Sequence, residues 1–115
     1  MGFRIDYAVR GRILRASVRG RSTSSLATWI ARDIAYEARQ KAVQQLLIDV
    51  RGLRDRLGTL GLLVLGAWDD RRVAVLDSDD NRHYHPFSEA AAQQRGHELR
   101  YFCDATAALR WLHTE

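Results

Sequence analysis

The sequence has 115 residues, of which 46% are hydrophobic and 28% are charged. This length and composition are typical of one globular domain and exclude a disordered chain. The longest apolar run, Leu60 to Trp68, is far shorter than the roughly 20 residues of a membrane-spanning helix. We therefore predict no membrane span. The single cysteine excludes an intrachain disulfide and predicts a reducing, cytoplasmic compartment.

The net charge of +4 and the pI near 9.8 would suit an acidic partner such as nucleic acid or an anionic lipid. The distribution of the charges argues against nucleic acid. Lys41 is the only lysine, and the arginines are spread along the chain between aspartates rather than clustered on one element. We expect no specific nucleic-acid binding.

Alternating apolar and polar residues near the N-terminus predict two half-buried strands. Every second residue is apolar from Phe3 to Val9 and again from Leu14 to Val18, and a tight turn at Arg10-Gly11 joins the two runs into a hairpin. The outer face of this hairpin would carry Arg4, Arg15 and Arg19. We interpret that face as a solvated surface that discourages edge pairing, rather than as a binding patch.

A helix is predicted from about Ser24 to Gln40, because apolar residues recur on one face at helical spacing. The members of this apolar face are Leu26, Trp29, Ile30, Ile34 and Ala38. The pattern places Trp29 in the core rather than on a ligand-binding surface.

Two continuous apolar runs predict the centre of a sheet. Leu46 to Val50 and Val73 to Leu76 are apolar on successive residues. This pattern is typical of parallel strands that are covered by helices on both faces. A short last strand follows from Leu99 to Phe102.

Three further helices are predicted after the first central strand. The segment from Leu57 to Trp68 is apolar nearly all round although it contains three glycines, so one side is buried within the domain or meets a partner. Phe87 to Arg95 follows a proline and precedes a glycine. Asp104 caps a final helix that ends at Leu112. The sequence therefore predicts one α/β domain over residues 1–115, with a five-stranded mixed sheet and about four helices. An N-terminal antiparallel hairpin adjoins a parallel core.

The polar loop after the fourth strand, Asp77 to His85, contains candidate metal ligands. Its opening resembles a calcium loop, but Arg82 occupies the position that needs glycine, and Ser88 the position that needs glutamate. His83 and His85 would point the same way on an extended segment and are the candidates for a transition-metal site. Two loop histidines are more often simply solvated. We predict no metal and no cofactor.

Asp49 and Asp77 end the two central strands, where ligands of open α/β sheets usually bind. Paired carboxylates there would suit a phospho-acceptor site, but the lysine that such a site needs is absent nearby. Carboxylates at strand ends also commonly cap the following turn. No nucleophile elbow, P-loop or dinucleotide-binding motif occurs. We therefore predict that the protein is not an enzyme; the alternative is a metal-dependent enzyme using these aspartates and the histidine loop.

Two stretches of the chain resemble a known domain family. The strand Leu47–Val50, the following Arg51–Leu53 and the glycine-bearing apolar helix resemble the STAS domain, a family that includes the anti-sigma-factor antagonists of bacteria. The last strand, the cap Asp104 and the closing run Ala108–Leu112 resemble its SpoIIAA-like branch. The order of elements is also that of the family. The resemblance implies a non-catalytic, cytoplasmic regulatory module that binds protein.

The antagonists are phosphorylated on a serine in an Asp-Ser-Ser-Gly motif at the start of the second helix. Aligning Asp49 with the strand-end aspartate of that family puts Thr59 at the phosphorylated hydroxyl and displaces the motif's glycine to Gly61. The acidic residue and the first serine of the motif are missing. Thr59 is therefore a candidate phospho-acceptor, or a simple helix cap.

The surface that we predict to be functional joins the turn after the third strand, the apolar helix and the loop after the fourth strand. Its residues are Asp49, Arg51, Arg54, Asp55, Arg56, Gly58, Gly61, Leu63, Leu65, Asp77 and Arg82. The predicted partner is another protein or a second copy of the chain, and a homodimer that shields Leu63 and Leu65 is the simplest outcome. The alternative is a small apolar ligand, such as a lipid, or a small anion held by Arg54 or Arg82.

Overall fold

The computed structural model describes residues 2–21, 24–54 and 68–114. In chain order these form β1 (Phe3–Arg10), β2 (Ile13–Arg21), α1 (Ser24–Lys41), β3 (Gln45–Arg54), β4 (Arg72–Leu76), a 3-10 helix (Asp79–Tyr84), α2 (His85–Gln94), β5 (Glu98–Phe102) and α3 (Ala105–Leu112). The predicted α/β class is confirmed. The described residues contain three α-helices, and the predicted helix from Leu57 to Trp68 lies outside them except for Trp68. Within the same ranges, no helix has the length and apolarity that a membrane crossing requires.

The five strands form one sheet in the order β1-β2-β3-β4-β5. β1 and β2 are antiparallel, while β2–β3, β3–β4 and β4–β5 pair in parallel. Gly11 joins the hairpin with φ near 60°, a left-handed conformation that glycine adopts without strain. The predicted hairpin and parallel core are both confirmed.

The first face of the sheet carries the main core, because side chains at alternate strand positions point to the same face. Leu14, Ile48 and Val75 are fully buried on it. Ile34 of α1 and Ala92 of α2 belong to the same buried cluster. The apolar side chains of the strands and of α1 therefore pack against each other in one core, as the strand and helix periodicities predict.

Trp29 is a correction to the sequence prediction, because it does not belong to this core. Its side chain is 61% exposed, and the Arg32 guanidinium lies 5.5 Å from the centre of its ring. The helix instead buries Ala27 and Ala31 beside Ile30. The buried face is therefore centred on the small alanines, and Trp29, about 100° around the helix from Ile30, faces outward.

The second face of the sheet carries a smaller apolar cluster beneath α3. Leu47, Leu76 and Leu112 belong to it. The cap predicted at Asp104 is present, since its carboxylate accepts the Ala107 N–H at 3.1 Å. At the opposite end of the helix, side chains from β3 and β4 hold the last carbonyl groups: Gln45 donates to Leu112, and Arg72 donates to Trp111 at 2.9 Å. α3 packs on β3, β4 and β5, whereas the part of this face formed by β1, β2 and the end of β3 carries charged side chains.

The docking of α3 can be tested by truncating its buried leucine. Leu112→Ala should lower the free energy of unfolding by about 2–5 kcal/mol, because it removes a fully buried side chain and leaves a cavity. Arg110→Ala, on the exposed side of the same helix, is the matched control and should change it by about 0.5 kcal/mol or less. Urea denaturation measures both. Equal effects of the two substitutions would contradict the described position of α3.

Candidate functional site

A band of charged side chains occupies the second face where β1, β2 and β3 meet. Strand register places Asp6, Ser17 and Asp49 side by side across the three strands. Four arginines that donate to the two aspartates flank this row: Arg4, Arg15, Arg19 and Arg51. We call these seven residues the arginine–aspartate band.

Asp49 is the buried member of the band, with 11% of its side chain exposed. Its Oδ1 accepts the backbone N–H of Arg51 at 3.1 Å and the Nε–H at 3.0 Å, while Oδ2 accepts Arg51 Nη2 at 2.8 Å and Arg15 Nη2 at 3.4 Å. Burial raises the pKa of Asp49, but the hydrogen bonds from Arg51 and Arg15 outweigh burial and hold this pKa below its usual range. The carboxylate is therefore ionised at neutral pH and fixed by a guanidinium fork.

A β-bulge interrupts β3 between Asp49 and Gly52. Ser17 pairs with Asp49 but Arg19 pairs with Gly52, so β3 contains one residue more than β2 over this interval. A Cβ on Gly52 would lie 2.7 Å from Cγ of Arg19, so another residue at this position would displace the stem of Arg19. Arg51 lies two residues after Asp49, on the same face of β3, and the stem of Arg19 crosses Gly52 beside it.

Asp6 forms the outer ion pairs of the band. Arg19 Nη2 donates to Asp6 Oδ2 at 2.6 Å, and Arg4 Nε donates to Oδ1 at 3.3 Å. The hydrogen bond from Arg19 is the main cause that lowers the pKa of Asp6. The side chains of Arg19 and Arg4 are 62% and 75% exposed. Pairs so exposed add little to stability, so this half of the band presents charge to the solvent.

A shallow groove with a volume of about 610 Å³ runs along the band. Its lining residues are Asp6, Ser17, Val18, Arg19, Asp49, Arg51 and Gly52. The band contains four arginines and two aspartates, so it has an excess of positive charge at neutral pH. The groove therefore favours a negatively charged ligand or protein segment.

Asp77 occupies a different place, fully buried after β4. Its Oδ1 accepts the Ser78 N–H at 2.8 Å and the Asn81 amide at 3.4 Å, and its Oδ2 lies 3.1 Å from His85 Nε2. The His85 ring stacks on Tyr101 with 4.8 Å between ring centres. Asp77 therefore caps the turn after β4, one of the two sequence-based interpretations, and ties the start of α2 to β5.

Asp49 and Asp77 are not brought together by the sheet. Leu76 is the register partner of Asp49, and the next residue, Asp77, points with Val75 to the first face. The two carboxylates thus lie on opposite faces of the sheet, and the paired arrangement considered from the sequence is not formed.

The two loop histidines are also separated. The segment before His85 is a 3-10 helix rather than an extended strand, so residues two apart do not point the same way. His85 is buried, whereas the ring of His83 lies 4.0 Å from that of Tyr84. Arg82 pairs with Asp79 on the surface. Across the described ranges, no three His, Cys, Asp or Glu side chains cluster as metal ligands would.

Several predicted site residues lie outside the described residues: Asp55, Arg56, Gly58, Thr59, Gly61, Leu63 and Leu65. Arg54 is described, as the exposed last residue of β3.

Sequence reasoning included Asp49 and Arg51 in the functional surface but interpreted Arg4, Arg15 and Arg19 as solvated residues. The alternation of the hairpin strands was the available signal, since it puts Asp6 and the three arginines on one face.

The Asp49 ion pairs should give a defined pH dependence. Since the folded-state pKa lies below the unfolded value of about 3.9, these pairs contribute stability above that value and lose it as pH falls through the folded-state pKa. Wild type should therefore exceed Asp49→Asn in unfolding free energy by about 1–3 kcal/mol at pH 7, and the difference should shrink below about pH 4. Urea denaturation from pH 7 to pH 3 measures it. Asp70→Asn, at an exposed position, should match wild type throughout; a pH-independent difference for Asp49→Asn would contradict the assignment.

The role of Asp77 as a buried turn cap predicts a graded series. Asp77→Ala leaves the Ser78 N–H and the His85 ring without this acceptor and should cost about 1–3 kcal/mol in unfolding free energy. Asp77→Asn retains one acceptor oxygen and should cost less. Thermal and urea unfolding of both, with Asp70→Ala as the exposed control, make the comparison. An alanine variant as stable as wild type would show that the cap is not needed.

Comparisons with known proteins bear on the fold. No protein-family model and no curated protein matches the sequence. Among solved structures, the chain is similar to an anti-sigma factor antagonist from Mycobacterium paratuberculosis, at 12% identity and a TM-score of 0.64 over 97% of this chain and 95% of that one. It is also similar to an uncharacterised protein from Shewanella loihica with a SpoIIAA-like fold, at 19% identity and a TM-score of 0.58 over 96% and 94%. The resemblance predicted from the sequence is confirmed at the level of the fold, and the chain is an α/β domain with the SpoIIAA-like fold.

Proposed function

We propose that this protein is a non-catalytic regulatory module of the cytoplasm that binds another protein through the arginine–aspartate band. The observation that carries the proposal is the band itself, in which exposed guanidinium groups are held in place beside an open groove. The fold shared with an anti-sigma factor antagonist supports the regulatory class. Arginine is enriched in protein interfaces, which supports a protein as the partner.

The chemistry of the described side chains favours binding over catalysis. A general base works best with a pKa near the working pH, whereas the arginines hold the pKa of Asp49 below its usual range. Burial raises the pKa of the Cys103 thiol, which keeps the reactive thiolate scarce at neutral pH. His85 is buried against Asp77, where it holds the turn. Asp49 and His85 thus each bind a structural partner, and these contacts favour a role in positioning and binding over one in catalysis.

Preorganisation is the physical advantage of such a surface. A free arginine loses rotamer entropy when it is fixed at an interface. Asp49 already fixes Arg51 through two side-chain hydrogen bonds, and Asp6 fixes Arg19 through one. Binding therefore orders these side chains at a smaller entropic cost than it would for unpaired arginines.

A small anionic ligand is the second candidate, because the excess positive charge of the groove suits an anion better than an apolar molecule. The predicted homodimer through Leu63 and Leu65 and the predicted phospho-acceptor Thr59 concern residues outside the described ranges, and both stay predictions.

The proposed interface can be tested by charge reversal. Tagged wild type should capture a protein partner from an extract of the source cells, Arg19→Glu should lose that protein, and Arg95→Glu should retain it. Arg19 is exposed on the band, whereas Arg95 is exposed at the end of α2, which packs on the first face. Circular dichroism checks that the variants are folded. Capture of the same protein by all three forms would place the interface elsewhere.

A further inference from the structure

We infer that the groove of the arginine–aspartate band is an oxyanion-binding site in which Arg19 and Arg51 together hold one carboxylate or phosphate group. This oxyanion is an acidic side chain on a segment of the partner protein, and that part of the inference rests on the proposed function. The two arginines line the same groove, which also contains Gly52 and Ser17.

Charge balance is the first argument. The two aspartates neutralise only part of the charge of the four arginines that surround them. Both oxygens of Asp49 already accept hydrogen bonds from Arg51. The positive charge that the two aspartates leave uncompensated would therefore attract an added anion.

The remaining donors of the two arginines are the second argument. A guanidinium carries five N–H groups. Within the described residues, Arg19 donates from Nη2 to Asp6, and Arg51 donates from Nε and Nη2 to Asp49. The side chains are 62% and 46% exposed. Their other N–H groups are available to the paired oxygens of a carboxylate or a phosphate, which guanidinium groups bind with charge-assisted hydrogen bonds.

The strand register supplies the third argument, because it places Arg19 opposite Gly52, the residue next to Arg51. Gly52 leaves room for the aliphatic stem of Arg19, since a Cβ at this position would lie 2.7 Å from Arg19 Cγ. Arg51 precedes Gly52 on the same strand and is held by Asp49. Ser17, between the two aspartates in the strand register, adds a hydroxyl donor at the floor of the groove.

The shape of the groove indicates which oxyanion it takes. Sites for small ligands enclose most of the ligand surface, whereas this groove is shallow and spans three strands of an open face. A chain segment that carries an acidic side chain can lie along such a surface and place one carboxylate between the arginines.

The experiment titrates the protein with an end-blocked, glutamate-rich peptide of about ten residues, with a glutamine peptide of the same length and with inorganic phosphate, and follows amide chemical shifts. The glutamate peptide should shift the amides of Ser17, Arg51 and Gly52, and the glutamine peptide should not. Arg19→Gln should weaken the glutamate peptide about fivefold or more, as expected for a lost charge-assisted hydrogen bond. Arg95→Gln removes an equal charge from an exposed site on α2 and should leave the affinity unchanged.

The Gly52→Ala variant distinguishes a site that depends on the position of Arg19 from a general attraction between opposite charges. This variant keeps the net charge but displaces Arg19, so it should weaken the peptide as Arg19→Gln does. Unchanged affinity in Gly52→Ala, or equal affinities for Arg19→Gln and Arg95→Gln, would overturn the oxyanion site. Shifts with phosphate at the same amides but none with the glutamate peptide would overturn the acidic protein segment as its source. Peptide binding together with no captured partner would support the oxyanion site while counting against the proposed function.

Discussion

The removal of the Asp49 carboxylate from water is the constraint around which the polar half of the second face is organised. An ionised carboxylate with 11% of its side chain exposed needs compensating donors, and Arg51 provides three of them from two residues along the same strand. Arg51 shares a face of β3 with Asp49, and the bulge follows at Gly52, which lies opposite Arg19. The ion pairs of Asp49 and the irregularity of the backbone thus occupy the same few residues of β3.

The two faces of the sheet use their charged residues differently. On the first face, Asp77 is sealed beneath the 3-10 helix and α2 and holds a turn through Ser78 and His85. On the second face, Arg15 and Arg51 stay partly exposed while they bind Asp49. One aspartate therefore stabilises the scaffold, and the other positions groups that still reach the solvent. The same residue type has different consequences because the helices cover the two faces unequally.

Most of the fold could be predicted because its signals are local. The period-two hairpin, the continuous apolar runs, the first-turn proline Pro86 and the cap at Asp104 each depend on neighbouring residues. Trp29 was predicted wrongly, since the buried face of α1 consists of Ile30, Ile34 and several alanines, and Trp29 lies to one side of it. The sequence prediction included Asp49 and Arg51 in the candidate site but interpreted Arg15 as a solvated residue. Its contact with Asp49 joins residues 34 positions apart, and it depends on a strand register that no local pattern specifies.

The attachment of α3 has a consequence for the order of folding. Its last turn is held by Gln45 across 67 positions of the chain and by Arg72 across 39. Closing a loop between residues so far apart in sequence costs chain entropy before the contact stabilises the domain. A helix of eight residues is also too short to persist alone in water. Leu47 and Leu76 therefore remain uncovered in a nascent chain until α3 has been synthesised and docks, and exposed apolar surface of this kind favours aggregation.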